Sequence, residues 1–500
     1  MITNQRKAGV VLSYISMGLD SVVSFICLPI LVRLLGKGEF GLYQLVAAII
    51  AYLLIMDFGL SNTTTRYYAR YQEQGKQKEK ENMLALSAIF YGFVGFLILV
   101  IGFSLLHFFL PIYQNTLSAQ DFLTAKKLFT IMLINLAFVI PSNIFVAVIN
   151  ANQRFIFAKT LVILTLILRP ATIVCMLHFW PKALTIVYIH TIFNFLVILA
   201  NIIYCCKFLD IKMKLYRFEW KLLKELILFS LYVFLAVVME QSYWRSGQLI
   251  LGALIGTGAV AVYAVAMKLD IYFTRFADNI SAIFLPQLSQ ISAHRSFTEQ
   301  TNEVFLKVSR LQLMVMSIFL CGFTLYGKTF LNFWLGAGFG NAYYYALIIM
   351  FALFIPLTQN IGIWVLQAQN KHYFRAWVYT ASAIFNIVLG IFLVKNIGTK
   401  GCAIATAISI VLGQGLAMNL FYNKIGLALK AYFKNMLKIL PLCLIMLAFG
   451  FFAEKFFISS SLIIFIGKIF SFILLFLTLF YFAFMNAYEK NLLKSLYGKK

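Results

Sequence analysis

The sequence predicts an all-α integral membrane protein of about fourteen transmembrane helices, built as two six-helix lobes in pseudo-two-fold arrangement around a central cavity plus two extra C-terminal helices. Three observations carry that prediction. Apolar stretches of about 20 residues, the length that crosses a bilayer core, recur along the chain and are separated by short connections that hold most of the charge. Lys and Arg are divided unequally between alternate connections. Segments of the first half also match segments of the second, in the same order.

Composition removes the soluble alternatives. Of 500 residues, 62% are hydrophobic and 12% charged, with a mean hydropathy of +0.88; soluble domains hold about 45–50% apolar and about 25% charged residues. The formal charge of +25 would suggest nucleic acid if it formed a basic stripe. It is instead spread over short loops, where membrane lipid headgroups and topology account for it, so no nucleic-acid partner is expected. Five of the seven cysteines (Cys27, Cys175, Cys321, Cys402, Cys443) fall inside apolar stretches, and Cys205 and Cys206 lie near a span end. No CxxC occurs, so they read as small buried hydrophobes, with neither a disulfide frame nor a metal site. Met1 to Lys7 precede a long apolar segment without a small-residue cleavage site, which predicts a retained first span.

Hydropathy places spans near 8–32, 42–64, 83–109, 128–149, 160–179, 184–206, 225–243, 258–288, 308–327, 344–368, 376–394, 402–422, 439–453 and 462–487. The expected organisation is an N-terminal lobe at 1–206, a basic linker at 207–224, a C-terminal lobe at 225–422, and two further helices with a basic tail at 423–500. Alternate connections hold 27 and 10 of the 42 Lys and Arg residues, with 5 inside spans. Cytoplasmic loops retain positive charge, so the richer side, which includes both ends of the chain, is expected in the cytoplasm. Connections on the other side are short. Even the longest, Leu110 to Lys127, is too small to house an outer-face catalytic site.

The internal match has two parts. Leu34-Leu35-Gly36-Lys37-Gly38 with Tyr43 corresponds, position for position, to Leu254-Ile255-Gly256-Thr257-Gly258 with Tyr263. Farther along, Asn150-Ala151-Asn152-Gln153-Arg154 with Phe157 corresponds to Gln367-Ala368-Gln369-Asn370-Lys371 with Phe374, each a short way after an in-span proline, Pro141 or Pro356. Spans 1–6 and 7–12 therefore read as a duplication whose halves enter the membrane in the same sense and are related by an axis along its normal, a transporter layout. The linker carries Phe208, Leu209, Leu215, Phe218, Trp220 and Leu222 among its cations; a helix lying on the membrane surface and a solvated loop both fit.

Ionisable groups inside spans are costly unless they face protein or water, which makes them the functional candidates. Span 8 carries Lys268, Asp270, Arg275 and Asp278. Lys268 and Arg275, seven apart, share a helical face, and Arg275 and Asp278, three apart, are within pairing distance. A packing ion-pair set and a cationic wall for an anionic substrate both fit this pattern. Span 7 ends in Glu240, Gln241, Trp244 and Arg245, readable as anchors or as site residues. Asp20 and Asp57 are placed to hold H⁺ or Na⁺, or to neutralise a cavity arginine. Arg169 precedes Pro170 in mid-span 5, where the proline kinks the helix; a structural pair and a substrate contact both remain open. Lys468, Lys328 and Arg310 lie near span ends and are expected to snorkel. His190 is expected in a hydrogen-bonded core role. No HExxH, Walker loop or GxSxG is present, so no enzyme and no resident cofactor is expected.

The stretch Leu34 to Tyr43, the segment Asp57-Phe58-Gly59-Leu60 followed by Arg66-Tyr67, and Gly256 to Tyr263 resemble the Wzx-type polysaccharide flippases. That family handles O-antigen, capsule and exopolysaccharide precursors and belongs to the superfamily of multidrug, oligosaccharidyl-lipid and polysaccharide exporters. The resemblance implies movement of an undecaprenyl-diphosphate-linked oligosaccharide across the bacterial inner membrane by alternating access, with H⁺ or Na⁺ coupling, and with a polysaccharide polymerase and chain-length proteins as partners. On that reading Lys268 and Arg275 hold the diphosphate, with Arg169 and Arg245 as further contacts, and Asp20, Asp57, Glu240, Asp270 and Asp278 couple the ion or balance charge. A cation-coupled multidrug exporter and a membrane polysaccharide polymerase or ligase are the alternatives. An excess of span-8 cations disfavours cationic drugs, and the short outer loops disfavour the enzyme.

Overall fold

The computed structural model describes residues 2–57, 59–218, 220, 241–291, 297–369, 373–456, 461–486 and 490, and these are almost entirely helical. Eleven of the described stretches are long and apolar enough to cross a membrane. The first, Lys7–Glu73, has 67 residues, about 100 Å of helix at the usual rise, more than three times a hydrocarbon core of about 30 Å. It therefore holds two crossings. Helix α8 (Thr257–Ala282) is also of membrane-crossing length, with 26 residues, and carries the four charges named above. The expected seventh span lies mostly outside the described residues, of which 241–254 are helical (α7). The protein is thus a multi-pass helical membrane protein of the expected order.

The chain divides into two compact units, residues 1–261 and 262–500. The first contains α1 (Ile2–Leu54), α2 (Leu60–Glu73), α3 (Gln77–Phe108), α4 (Ala119–Ala151), α5 (Phe155–Phe179), α6 (Ala183–Phe208), α7 and the start of α8. Helix α1 is broken at Gly36, whose φ of 74° lies in the left-handed region that favours glycine. Its repeat counterpart Gly256 also has positive φ, 122°, and breaks the chain between α7 and α8. Shortly past the first break, Gly41 brings backbones together: a Cβ there would lie 1.9 Å from the Thr257 carbonyl oxygen. With no hydrophobic force between helices in lipid, such close approach is what holds them. The Thr116 hydroxyl fastens α7 further by donating to the Gly252 carbonyl at 2.7 Å.

The second unit continues with α8 and then α9 (Leu285–Ile291), α10 (Phe297–Leu335), α11 (Gly340–Thr358), α12 (Ile361–Ala368), α13 (Tyr373–Ile397), α14 (Lys400–Ile410), a π-helical turn at Val411–Ala417, α15 (Met418–Lys424), α16 (Leu429–Phe456) and α17 (Leu462–Leu479). Helices α16 and α17, outside the duplication, pack on α10, and α17 does so through aromatic edges: Tyr326 meets the rings of Phe465 and Phe472 at centroid distances of 6.3 and 5.8 Å. Arg310, one of the cations expected to snorkel, donates to the Phe484 carbonyl.

The duplication recurs in contacts. Phe157 stacks on Tyr204 at 3.8 Å and 10°; Phe374 stacks on Phe421 at 4.0 Å and 15°. The interval from Phe157 to Phe374 equals that from Tyr204 to Phe421, so the fifth and sixth helices of each repeat are tied together in the same way.

The described part of the linker that follows α6, residues 209–218, is not helical. Helix α6 ends at Phe208, and residues 210–218 form no regular secondary structure, with Asp210 at a φ of 42°. The reason is a side-chain acceptor that replaces the helical ladder. Asn82 Oδ1 accepts the backbone N–H of both Tyr216 and Arg217 at 2.9 Å, while the Tyr216 hydroxyl donates to Glu81 at 2.7 Å. That hydrogen bond pushes the Tyr216 phenol above its ordinary pKa. Phe208, Phe218 and Trp220 remain exposed.

A candidate anion site and two carboxylate sites

In the first unit three side chains from separate helices converge. The break at Gly36 sets the direction of the second half of α1, which carries Tyr43 and Tyr52; α5 supplies Arg169 beside Pro170, and α7 supplies Arg245. Both guanidinium groups act electrostatically on the Tyr43 hydroxyl, and Arg245 also acts on Tyr52, whose hydroxyl bonds Ser242 on the same helix as Arg245.

Arg169 is held from behind by neutral groups. Its Nη2 donates to Asn194 Oδ1 at 2.9 Å and its Nη1 faces His190 Nδ1 at 3.5 Å. Arginine has no acceptor, so His190 accepts through Nδ1, and the core role expected of it becomes that of an arginine support. The chain of bonds continues from Asn194 to Asn135 at 3.0 Å and from Asn135 to Thr191 at 2.9 Å. Phe193 lies under the guanidinium at 6.0 Å, and Arg169 Nε is buried without a hydrogen-bond partner. Among the described residues no carboxylate forms a salt bridge with Arg169 or Arg245. Burying a cation in such a setting is costly unless a partner balances it, which makes Arg169 and Arg245 the candidates for an anion contact.

The second unit places the other cations on α8: Lys268 is half-buried and Arg275 exposed. The carboxylates there differ sharply. Asp270 is 0% exposed, and neither of its oxygens has a hydrogen-bond partner. Asp278 accepts from Asn360 Nδ2 at 2.7 Å and interacts electrostatically with Arg375. In the first unit Asp57 accepts from Asn143 Nδ2 at 2.7 Å. Asp20 sits half-buried on α1, and Glu240 lies outside the described residues. Among the described residues no group of three or more His, Cys, Asp or Glu side chains converges as a metal site.

Tyr43, Tyr52, Asn135, His190 and Asn194 complete the arginine site and were not legible as site residues. Tyr43 carried a signal as a position matched in both halves, and His190 as an in-span histidine expected in a hydrogen-bonded core role. Tyr263, its counterpart, bonds Thr406 at 3.2 Å, and Thr406 donates to Asn386 at 3.2 Å.

This architecture is that of polytopic helical exporters. The fold matches the lipid II flippase MurJ in its inward closed conformation with a TM-score of 0.73, at 19% identity, over 94% of this chain and 99% of that one. It matches an inward-facing multidrug resistance MATE family transporter at 0.60 and 13% identity, over 85% and 99%. The chain belongs to the polysaccharide biosynthesis protein family, whose model matches residues 7–292, more than half its length. A candidate O-antigen transporter of Shigella flexneri is 22% identical over 413 residues, 81% of this chain and 95% of that protein. A candidate low-salt glycan biosynthesis flippase of Haloferax volcanii is 23% identical over 160 residues, 32% of this chain and 34% of that protein.

Proposed function

We propose that the protein flips an undecaprenyl-diphosphate-linked oligosaccharide from the inner to the outer leaflet of a bacterial inner membrane by alternating access, with both termini in the cytoplasm and no enzymatic step. One observation carries this reading: Arg169 and Arg245 converge on Tyr43 with no carboxylate paired to either among the described residues. A diphosphate supplies the missing negative charge, and the guanidinium fork suits its oxygens. The Asn135–Asn194–His190 chain fixes Arg169 before substrate arrives, so less ordering is needed on binding. Lys268 and Arg275 share one face of α8 and remain candidates for the same chemistry. A polysaccharide polymerase and chain-length proteins are the partners such an activity implies.

The coupling ion in this reading is H⁺, held at Asp270. A sodium ion requires several oxygen ligands, whereas a buried carboxylate with no hydrogen-bond partner has what a proton needs. Asp20 and Glu240 stay secondary candidates for charge balance.

The test is surface-glycan assembly in a cell whose own flippase is deleted and is replaced by this protein at matched expression. Arg169→Ala and Arg245→Ala are each expected to lower export about 10- to 150-fold, the range for a charge-assisted hydrogen bond of about 1.5–3 kcal/mol. Wild-type export from both variants would remove the assignment, and altered ethidium accumulation instead would point to a drug exporter.

A further inference from the structure

The two carboxylate–carboxamide contacts are copies of each other. The interval from Asn143 to Asn360 equals the one that relates Phe157 to Phe374, and the interval from Asp57 to Asp278 differs by a single position from the one that relates Gly36 to Gly256. Each contact is 2.7 Å and stays within its own unit. Each aspartate stands at the end of the second helix of its half. Asp57 closes the tight turn Ile55–Asp57, one residue before Phe58 and Gly59, whose φ of 65° opens α2. Asp278 lies in the last turn but one of α8, ahead of the break to α9. Each asparagine follows a proline inside the fourth helix of its half, Pro141 in α4 and Pro356 in α11, and Asn360 itself stands between α11 and α12.

The sequence around the four residues has diverged, yet the chemistry of the contact is the same in both copies. Nothing about simple packing requires that. Asp57 is half-buried and Asp278 exposed, and apolar side chains of similar volume would fasten helices without desolvating any charge. A single hydrogen bond to a carboxylate, by contrast, is strong enough to define one arrangement and weak enough, at about 1.5–3 kcal/mol net, to open on the microsecond-to-millisecond scale of transport. Asp57, Asn143 and Asn360 sit beside a glycine, a proline or a break, and Asp278 one turn before the end of α8, near the places where chains absorb a change of direction.

We propose that Asn143 and Asn360 are positioning residues that latch the broken end of the second helix to the kinked fourth helix in each half, and that both latches release and re-form during each flipping cycle. Neither pair is assigned to substrate. Arg375 lies in the field of Asp278, and the corresponding position of the first half is Ala158, so the second latch has an additional cation to receive its aspartate when the amide lets go. The first copy is served by Asn143 and the backbone of Gly59.

The inference rests on the flippase reading, and two measurements separate their failures. Hydrogen–deuterium exchange on purified protein needs no substrate. Asn143→Ala is expected to raise exchange several-fold at residues 59–63 and leave 361–365 unchanged, and Asn360→Ala to do the reverse; unchanged exchange in both variants overturns the latches. The second measurement uses vesicles loaded with fluorescently labelled undecaprenyl-diphosphate-linked N-acetylglucosamine. Asp57→Cys/Asn143→Cys and Asp278→Cys/Asn360→Cys are compared reduced and oxidised. Flipping that falls at least tenfold on disulfide formation and returns with reductant supports release during the cycle, and equal flipping in the two states overturns it. Should the reduced pairs be inactive, the reciprocal exchange of Asp57→Asn with Asn143→Asp is expected to restore at least a third of wild-type flipping where each single change does not; failure of that restoration also overturns the proposal. Wild-type protein that does not flip the probe sinks the flippase reading while leaving the exchange result intact.

Discussion

The two halves keep the same scaffold and differ in how they treat charge. Tyr43 and Tyr263 occupy matched positions, as do Arg169 on α5 and Asn386 on α13, by the same spacing that relates the stacked aromatic pairs. In the second half the polar groups meet one another, Tyr263 to Thr406 and Thr406 to Asn386. In the first half the tyrosine instead faces two guanidinium groups, and Arg169 rests on neutral partners. The glycine breaks and the ring stacks are requirements of helix geometry, and the Asp–Asn contacts recur beside them in both halves. At the position of Arg169 the second half carries the neutral Asn386, the asymmetry expected if Arg169 binds substrate as proposed.

The largest expected difference breaks this comparison directly. Arg169→Ala removes a cation with no salt bridge among the described residues and is expected to lower export by about 10- to 150-fold, whereas Asn386→Ala removes a neutral hydrogen bond of about 1 kcal/mol and is expected to change export no more than about threefold. Measuring both in the same flippase-deleted strain at matched expression decides it. Equal losses would show that the halves share the work and that the charge asymmetry is incidental.

A smaller effect sharpens the same point at the tyrosines. Tyr43→Phe deletes a hydroxyl that lies in the field of two cations, and flipping in vesicles is expected to fall about 3- to 10-fold, the equivalent of about 1 kcal/mol. Tyr263→Phe leaves Thr406 still donating to Asn386, so flipping is expected to stay within about twofold while stability drops by about 1 kcal/mol. Thermal unfolding in detergent, read beside the flipping rate, separates the two. A flipping defect in Tyr263→Phe as large as that in Tyr43→Phe would show that the matched tyrosines act alike.

The degree to which the sequence revealed each feature follows from how much of it the membrane dictates. Spans were legible because lipid leaves a backbone no other way to satisfy its polar groups, and the breaks at Gly36 and Gly256 because only glycine tolerates that conformation cheaply. Arg169 drew notice as a charge in mid-span, where it is expensive, and Arg245 only as a cation at a span end, both behind Lys268 and Arg275. The supports of Arg169 did not stand out as site residues. His190 and Asn194 are on the helix that follows Arg169, Asn135 is on a third helix, and neutral polar residues in apolar spans carry no such penalty to flag them. The Asp–Asn contacts were hidden for the same reason: one partner is charged and conspicuous, and the other is an asparagine on an element remote in sequence.

The linker taught the opposite lesson, that an amphipathic composition does not make a helix when a side chain competes for the backbone. A helix through residues 209–218 would need the Tyr216 and Arg217 amides to donate to preceding carbonyls, yet Asn82 on α3 takes both, and Glu81 adds a bond to the Tyr216 hydroxyl. Asn82→Ala is therefore expected to have the smallest functional effect, under about twofold on export, because it lies away from the arginine site. Amide exchange at residues 216 and 217 should nevertheless rise about fivefold, the amount that loss of about 1 kcal/mol permits. Unchanged exchange at those two amides would mean that residues 210–218 are held by their remaining contacts and that Asn82 does not direct their path.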